Sequence, residues 1–394
     1  MRTGMSNRLS GCSTKRLPCL NERGKRKRSA SRSRSRAERC QRNGRWCDSV
    51  FVVVEQAGLS QLVDDGRCGY GQYGLAGGQP VDMEAARSAM ALLSSRAAKR
   101  PWWIEIGPTA CRLRVTAPLM VALGGATRSI EYGGQRANEH GDERAESLGR
   151  HSQIALRLEE GQWLRAGAAE DGFYSYVCFG AELELQDILG SLGASLVGDF
   201  PGIQGRRLAN GDRISVEPTV VPIRTRVRTS VSVASVQQAY RDGSPASDSL
   251  LRFVPGPDYD ALLSAEPWAI DPGAWMTSAA VDRRAIRLQA TVSAAAPNLP
   301  VIDSAARSVP TVQGLIQWPN RGWPFILGPD RQTIGGYPRF GYIITADLPI
   351  LGRLRPGKSV TLAPVSRQEA RDVYKNSQQQ LRKWLHWVQT ANER

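Results

Sequence analysis

The run GLIQWPNRGWPFILGPDRQTIGGYPRFGYIITADLPILGRLRPGKSV (residues 314–360) decides how this chain is read. Short apolar patterns, GLIQWP, PFILG and GYIITADL, alternate with turns built on Pro, Gly, Asn and Asp. Strands this short, punctuated this often, point to an all-β barrel or sandwich. Inside the run, GPDRQTIGGYPRFG (residues 328–341) sets Asp330, Arg331 and Gln332 against Gly335, Gly336 and Tyr337. The residues alone leave two readings open. The glycine pair can supply a turn that needs positive φ. It can also let backbone N–H groups approach a ligand as an anion or oxyanion cradle. Asp330 would then offer a carboxylate, Arg331 a bidentate anion clamp, Gln332 an amide and Tyr337 a ring that stacks or donates. A phosphate loop of the G-x-x-x-x-G-K-S/T kind is excluded, because no Lys follows the glycines and Pro338 stands where a helix would start.

The same strand-and-turn plan extends toward the N-terminus. FVVVEQAG from Phe51 reads as a buried strand ending in a glycine turn, and RLRV, LMVAL, IALRL, YSYVCF and RISV follow as strands. DMEAARSAMALLSS spaces Ala85, Ala86, Ala89, Met90 and Leu93 as a helix face, and LELQDILGSLGA (residues 183–194) is a second helix candidate. PIRTRVRTSVSV (residues 222–233) alternates strictly, as either an anion-binding strip or a solvated strand face. The chain ends in SRQEARDVYKNSQQQLRKWLHWV, an amphipathic helix with a Ser366–Glu369 capping box. Val373, Ser377, Leu381, Trp384, Leu385 and Val388 line one face of it, which is expected to pack on the barrel or on a partner. The organisation is therefore a tail at 1–50, a first β domain at 51–215, a connection at 216–248, a second β-barrel domain at 249–363 and a helix at 364–394.

Charge is distributed unevenly. Residues 1–50 carry 15 Lys/Arg against 3 Asp/Glu, whereas the other 344 residues carry 37 against 34. The tail repeats Arg and Ser in SASRSRSRAER, cannot bury apolar surface and is expected to be disordered. Nucleic-acid binding could reside only there, and the absence of an RNA-binding domain after it favours a dispensable basic extension. The seven Cys form no C-x-x-C pair and the three His fall in no zinc motif, so neither a disulfide framework nor a metal site is expected. No serine nucleophile elbow occurs. With no apolar leader and no 18-residue apolar run, a cytoplasmic protein without a membrane span is expected.

Residues 314–360 resemble the signature region of the KipA family, also known as the 5-oxoprolinase C-subunit or allophanate-hydrolase subunit-two-like proteins, which is related to the carboxyltransferase part of urea carboxylase. RFVPGPDYD (residues 252–260) is similar to the start of that family's second domain, and VDRRAIRL (281–288) to its Ser-Asp-Arg-Met-Gly-x-Arg-Leu. VDDGRCGYGQYGLAGGQPVD (63–82) resembles its glycine-rich N-terminal loop, and IQGRRLANGDRI (203–214) the end of its first domain. The resemblance spans about residues 51–363, specific in the last part and thin in the first.

The resemblance implies a mainly β protein of two cyclophilin-like barrel domains with a few helices. It implies a subunit that works with a KipI-like partner, of the 5-oxoprolinase B-subunit type, on a small molecule, opening 5-oxoproline to glutamate with ATP used by the complex. Biotin enters through the carboxylase relatives, carried on another domain. By this resemblance Asp330, Arg331, Gln332, Asp282 and Arg283 are the candidate catalytic residues. Gly335, Gly336, Tyr337, Gln317, Asp64, Arg67 and Asp82 are the candidate substrate-binding residues. Some family residues are replaced: the positions of Thr-Thr-Val-Gln-Asp hold SQLVD (60–64), and those of Leu-Gly-Ser-Arg-Ser-Thr hold LGSLGA (189–194). The resemblance thus also allows an alternative, a catalytically eroded regulatory module of a kinase-control complex.

Overall fold

The computed structural model describes residues 41–42, 45–46, 49–75, 77–93, 100–134, 144–195, 202–219, 227–228, 250–292, 295–299 and 308–393. The chain divides into two units, Met1–Asp48 and Ser49–Arg394. In the first, β1 (Gln41–Arg42) and β2 (Arg45–Trp46) pair antiparallel. The rest of the Arg/Ser tail lies outside the described residues, as does the alternating 222–233 run apart from Val227–Arg228.

In the second unit a ten-stranded sheet is built from β3 (Val50–Gln56), β4 (Ser60–Val63), β5 (Trp103–Ile106), β6 (Cys111–Val115), β7 (Leu119–Gly134), β8 (Arg144–Leu158), β9 (Trp163–Phe179), β10 (Ala181–Leu183), β11 (Arg213–Pro218) and β12 (Val227–Arg228). Its main path runs β10-β11-β3-β6-β9-β7-β8-β12, with β5 joining β4 to β9. Side chains alternate as the pleat requires. In β6, Cys111, Leu113 and Val115 are buried, while Arg112 and Arg114 reach Glu55 on β3. One face of the sheet buries Val52, Leu62, Ile104, Val121 and Val177. The other presents Val63, Trp103, Ala122, Tyr176 and Cys178 to α1 (Met83–Ala91).

The remaining strands are β13 (Leu250–Pro255), β14 (Trp275–Val281), β15 (Ala285–Ala290), β16 (Val309–Pro310), β17 (Leu315–Gln317), β18 (Phe325–Leu327), β19 (Ile334–Gly335), β20 (Arg339–Ile343) and β21 (Ser359–Pro364). Seven of them close a barrel in the order β13-β20-β17-β18-β15-β14-β21, and β16 pairs with β19 apart from it. The mainly β expectation holds. Phe253, Trp275, Leu288, Ile316, Ile326 and Phe340 belong to one continuous apolar core with α1 and the second face of the ten-stranded sheet. Among the described residues no helix is long and apolar enough to cross a membrane.

Two local expectations are corrected. LELQDILGSLGA is not a helix: β10 ends at Leu183, and Ile188 and Ser191 pair across a tight turn with Leu189 at φ 54° and Gly190 at φ 78°. Distant groups impose that turn. Asp64 accepts from Ser191 Oγ and Leu192 N, both at 2.6 Å, and Arg67 donates to Ile188 O and Gly193 O at 3.2 and 2.7 Å. GYIITADL is a strand only as far as Ile343; a helical turn at Thr345–Asp347 then leads into α3 (Leu348–Leu351), which follows α2 (Tyr259–Ala265) in the chain. Asp347 stops the strand by accepting from Arg252 N, Nε and Nη2 at 2.8, 3.0 and 2.8 Å.

The terminal helix α4 (Arg367–Glu393) forms as its pattern predicts. Glu369 Oε2 accepts from Ser366 N at 2.7 Å, and Ser366 Oγ accepts from Glu369 N at 3.1 Å. Leu381, Trp384 and Val388 are buried in the barrel-side core, so the apolar face packs on its own chain. Ser366→Ala is expected to fray the first turn of α4 while leaving the barrel intact. Amide exchange at Glu369 N–H should accelerate, with no change at β13 or β20.

Candidate functional site

Three segments meet between the ten-stranded sheet and the barrel: residues 77–82, residues 311–313 and the 328–337 run. Arg283, in the turn between β14 and β15, ties the first to the last. Its Nε and Nη2 donate to the two oxygens of Asp330 at 2.7 and 2.9 Å, a bidentate pair. Its Nη1 donates to Glu105 on β5, and Nη2 also donates to Gln79 O at 2.9 Å. The backbones interlock as well, since Gly328 N donates to Arg284 O at 2.8 Å and Asp330 N to Arg283 O at 3.0 Å. Gly77, at φ 88°, passes so close to the Asp330 carboxylate that a β-carbon there would collide with it. Gln79 Nε2 reaches Gln313 Oε1 at 3.4 Å and closes the ring of loops.

Arg283 and Asp330 are 4% and 5% exposed and Glu105 is 1% exposed, so one cation and two carboxylates share a dry cluster. Burial works against the Arg283 charge, but Asp330 and Glu105 outweigh it and hold the guanidinium well above its ordinary range. Burial pushes the Glu105 carboxyl up, with Arg283 and the Val81 N–H pulling the other way. Burial, with Glu105 next, also raises the Tyr174 and Tyr176 phenols. The Tyr176 hydroxyl accepts from Asp82 N at 2.8 Å.

The other candidates divide into anchors and wall. Asp82 caps α1, accepting from Ala85 N at 2.9 Å, and pairs with Arg353 at 3.4 Å; burial raises its carboxyl. Asp64 and Arg67 hold the Ile188–Ser191 turn, and Asp64 also accepts from Gly66 N at 2.9 Å. Asp282 does not face Arg283; it points outward, accepting from Arg284 and Ala285 N at 2.7 and 3.0 Å. Gln332 is exposed, and its backbone carbonyl accepts from Thr311 Oγ1. Tyr337 is 48% exposed and sets its ring edge-on to Phe325 at 5.9 Å. Gly336 is half-buried after β19.

Gly335 answers the question left open by the sequence. It lies in β19 without positive φ, and a β-carbon there would sit 2.9 Å from Gln317 Nε2. The glycine serves close approach of backbone to a buried amide, not a left-handed turn. Two wall groups keep hydrogen-bonding capacity: both amide atoms of Gln317 and Nε of Arg331 are buried without a partner among the described residues. Burial lowers the Arg331 guanidinium, with Asp330 opposing.

Sequence reasoning missed Glu105, Gln79, Gln313, Tyr174, Tyr176 and Arg353. Glu105 carried a signal: it is the lone charge in WWIEIG, where a solvated strand face would alternate. Tyr176 carried none, because YSYVCF reads as ordinary core.

Residues 73–364 match the family model described as carboxyltransferase domain, subdomain A and B. The C subunit of 5-oxoprolinase from Escherichia coli (strain K12) is 27% identical over 338 residues, which cover 86% of this chain and 98% of that protein. The crystal structure of TTHA0988 superposes with a TM-score of 0.61 at 24% identity, covering 80% of this chain and 56% of that one. The K. lactis urea amidolyase superposes with a TM-score of 0.65 at 17% identity, covering 86% of this chain and 20% of that one. This chain thus spans little more than half of one solved structure and a fifth of the other, and both show a shared fold alone.

Proposed function

Because the chain belongs to the carboxyltransferase-domain family, subdomains A and B, we propose that it is one component of a 5-oxoprolinase-type hydrolase complex. Its substrate is 5-oxoproline, opened to glutamate, and its partner is a protein like the B subunit of 5-oxoprolinase. ATP is a substrate of the complex, and no residue of this chain is assigned to it. The similarity to the C subunit of 5-oxoprolinase over 98% of that protein supports this reading. The observation that carries it in the structure is the Arg283 cluster, which fixes the 328–337 wall while leaving Arg331 and Gln317 with hydrogen bonds to give.

Ring opening adds water across the C–N bond of the lactam, and negative charge builds on the carbonyl oxygen. Donors already fixed in a dry site stabilise that charge without reorganising at the moment of reaction. Arg331, half-buried with Nε unpartnered, is the donor assigned to this role. Asp330 and Arg283 saturate each other and position the wall; Asp64, Arg67 and Asp82 anchor the facing loops.

Co-expression with the partner proteins and an ATP-dependent assay of glutamate release test the reading. The wild-type complex should turn over 5-oxoproline, and Arg331→Ala should lose roughly a hundredfold in kcat/KM. A variant at full rate would remove Arg331 from the site. A complex that assembles yet never releases glutamate would overturn the hydrolase reading in favour of a regulatory module.

A further inference from the structure

We propose that the carboxamide of Gln317 is the group that reads the lactam edge of the substrate, an inference that rests on the cyclic-amide reading above. Gln317 is fully buried, and among the described residues neither Nε2 nor Oε1 has a hydrogen-bond partner. Buried polar groups are as a rule hydrogen-bonded, so an amide with both ends unpaired calls for an explanation. On β17, Ile316 joins the apolar core and Gln317 points the opposite way. Its Nε2 and Oε1 lie 2.9 and 3.5 Å from where a β-carbon at Gly335 would sit, and the Thr311 methyl lies 3.2 Å from the same point. This is the inner side of the 328–337 wall.

A primary carboxamide presents one donor beside one acceptor. A five-membered lactam holds its amide cis, with N–H and C=O on one edge. The two edges are complementary and close a ring of two hydrogen bonds, and a half-turn of the Gln317 amide serves either orientation of the ligand. With no side chain at 335, only the Gly335 backbone stands over this edge. The β16–β19 ladder beside it is two residue pairs long, Val309 with Gly335 and Pro310 with Ile334, so a ligand reaches the amide by displacing a short ladder rather than a sheet. Within that ladder Ile334 is 59% exposed.

The test uses the assembled complex and compares 5-oxoproline with its lactone analogue, in which the ring N–H is replaced by oxygen. A site that hydrogen-bonds the N–H should prefer the lactam by roughly a hundredfold or more. Gln317→Met, close in volume and without an amide, should weaken 5-oxoproline binding at least tenfold and collapse that preference. It should also leave the thermal midpoint unchanged or raise it, because an unpaired buried amide is removed. Gly335→Ala, which crowds Nε2, should weaken lactam binding while the Gln remains. If wild-type binds 5-oxoproline and Gln317→Met keeps both affinity and preference, the assignment of Gln317 is wrong. A Gln317→Met chain that loses stability would make the amide structural and overturn it equally. Wild-type that binds no 5-oxoproline removes the functional reading itself, and this inference with it.

Discussion

Arg283→Met is expected to destabilise the chain by about 3–5 kcal/mol, since it strands two buried carboxylates without their cation. Asp330 loses a bidentate partner, Glu105 loses its only cation among the described residues, and Gln79 O loses a donor. The loss should depend on pH with a definite sign. Burial already raises the Glu105 carboxyl against the pull of Arg283. A carboxyl raised in the folded state gives stability that is complete below its unfolded value, about 4.3, and is lost as pH rises through the folded value. Without Arg283 the folded value rises further and that window widens. The gap between wild type and variant in urea unfolding should therefore be large at pH 8 and shrink toward pH 5, where the stranded Glu105 carboxylate takes up a proton. A gap of equal size at both pH values would show that the carboxylates do not depend on Arg283. Under the proposed 5-oxoprolinase reading, glutamate release by the complex should fall with it, because the same guanidinium holds the 328–337 wall against the 77–79 loop.

Arg128→Met is expected to cost about 3–5 kcal/mol, by a different mechanism. Arg128 on β7 is wholly buried, and no carboxylate pairs with it among the described residues. Its guanidinium donates to Ser175 Oγ at 2.7 Å, to Thr109 O and Gly167 O at 3.0 and 2.7 Å, and to Ile106 O, Gly107 O and Phe173 O. Burial pulls it down to about 10, still a cation at neutral pH. The register of β7 against β9 is irregular on both sides of Arg128, so its ladder there is incomplete and the side chain satisfies carbonyls that a strand would have. Removing it leaves several buried acceptors bare. Lysine, with a single ammonium, should restore only part of the loss. Urea midpoints of Arg128→Met and Arg128→Lys would decide; a methionine variant as stable as wild type would mean that the carbonyls find other donors.

Much of the fold was legible residue by residue. The short pattern RLRV marked β6, the Ser366–Glu369 box marked the start of α4, and the small apolar stripe at Ala85, Ala86 and Ala89 marked α1. LELQDILGSLGA misled because its helical spacing is real, but Asp64 and Arg67, more than a hundred residues away, outbid the local preference. The candidate site was legible as a set of positions and not as a set of roles. Arg283 and Asp330 were singled out separately, yet each satisfies the other, while Asp282, their neighbour in sequence, turns to solvent. Glu105 completes the cluster from a strand 178 residues before Arg283.

The strand-and-turn character of the chain, the start of α4 and the loops that carry polar residues can be read along the sequence, because they follow from short-range periodicity and capping. Which polar groups neutralise one another, and which keep hydrogen bonds to give, emerges only once the chain is folded. Charge pairing and burial act through space, between segments brought together from distant parts of the chain. The stretch 328–341 shows both: its glycines left a turn and a close approach open, and the folded chain decided for close approach to the buried amide of Gln317.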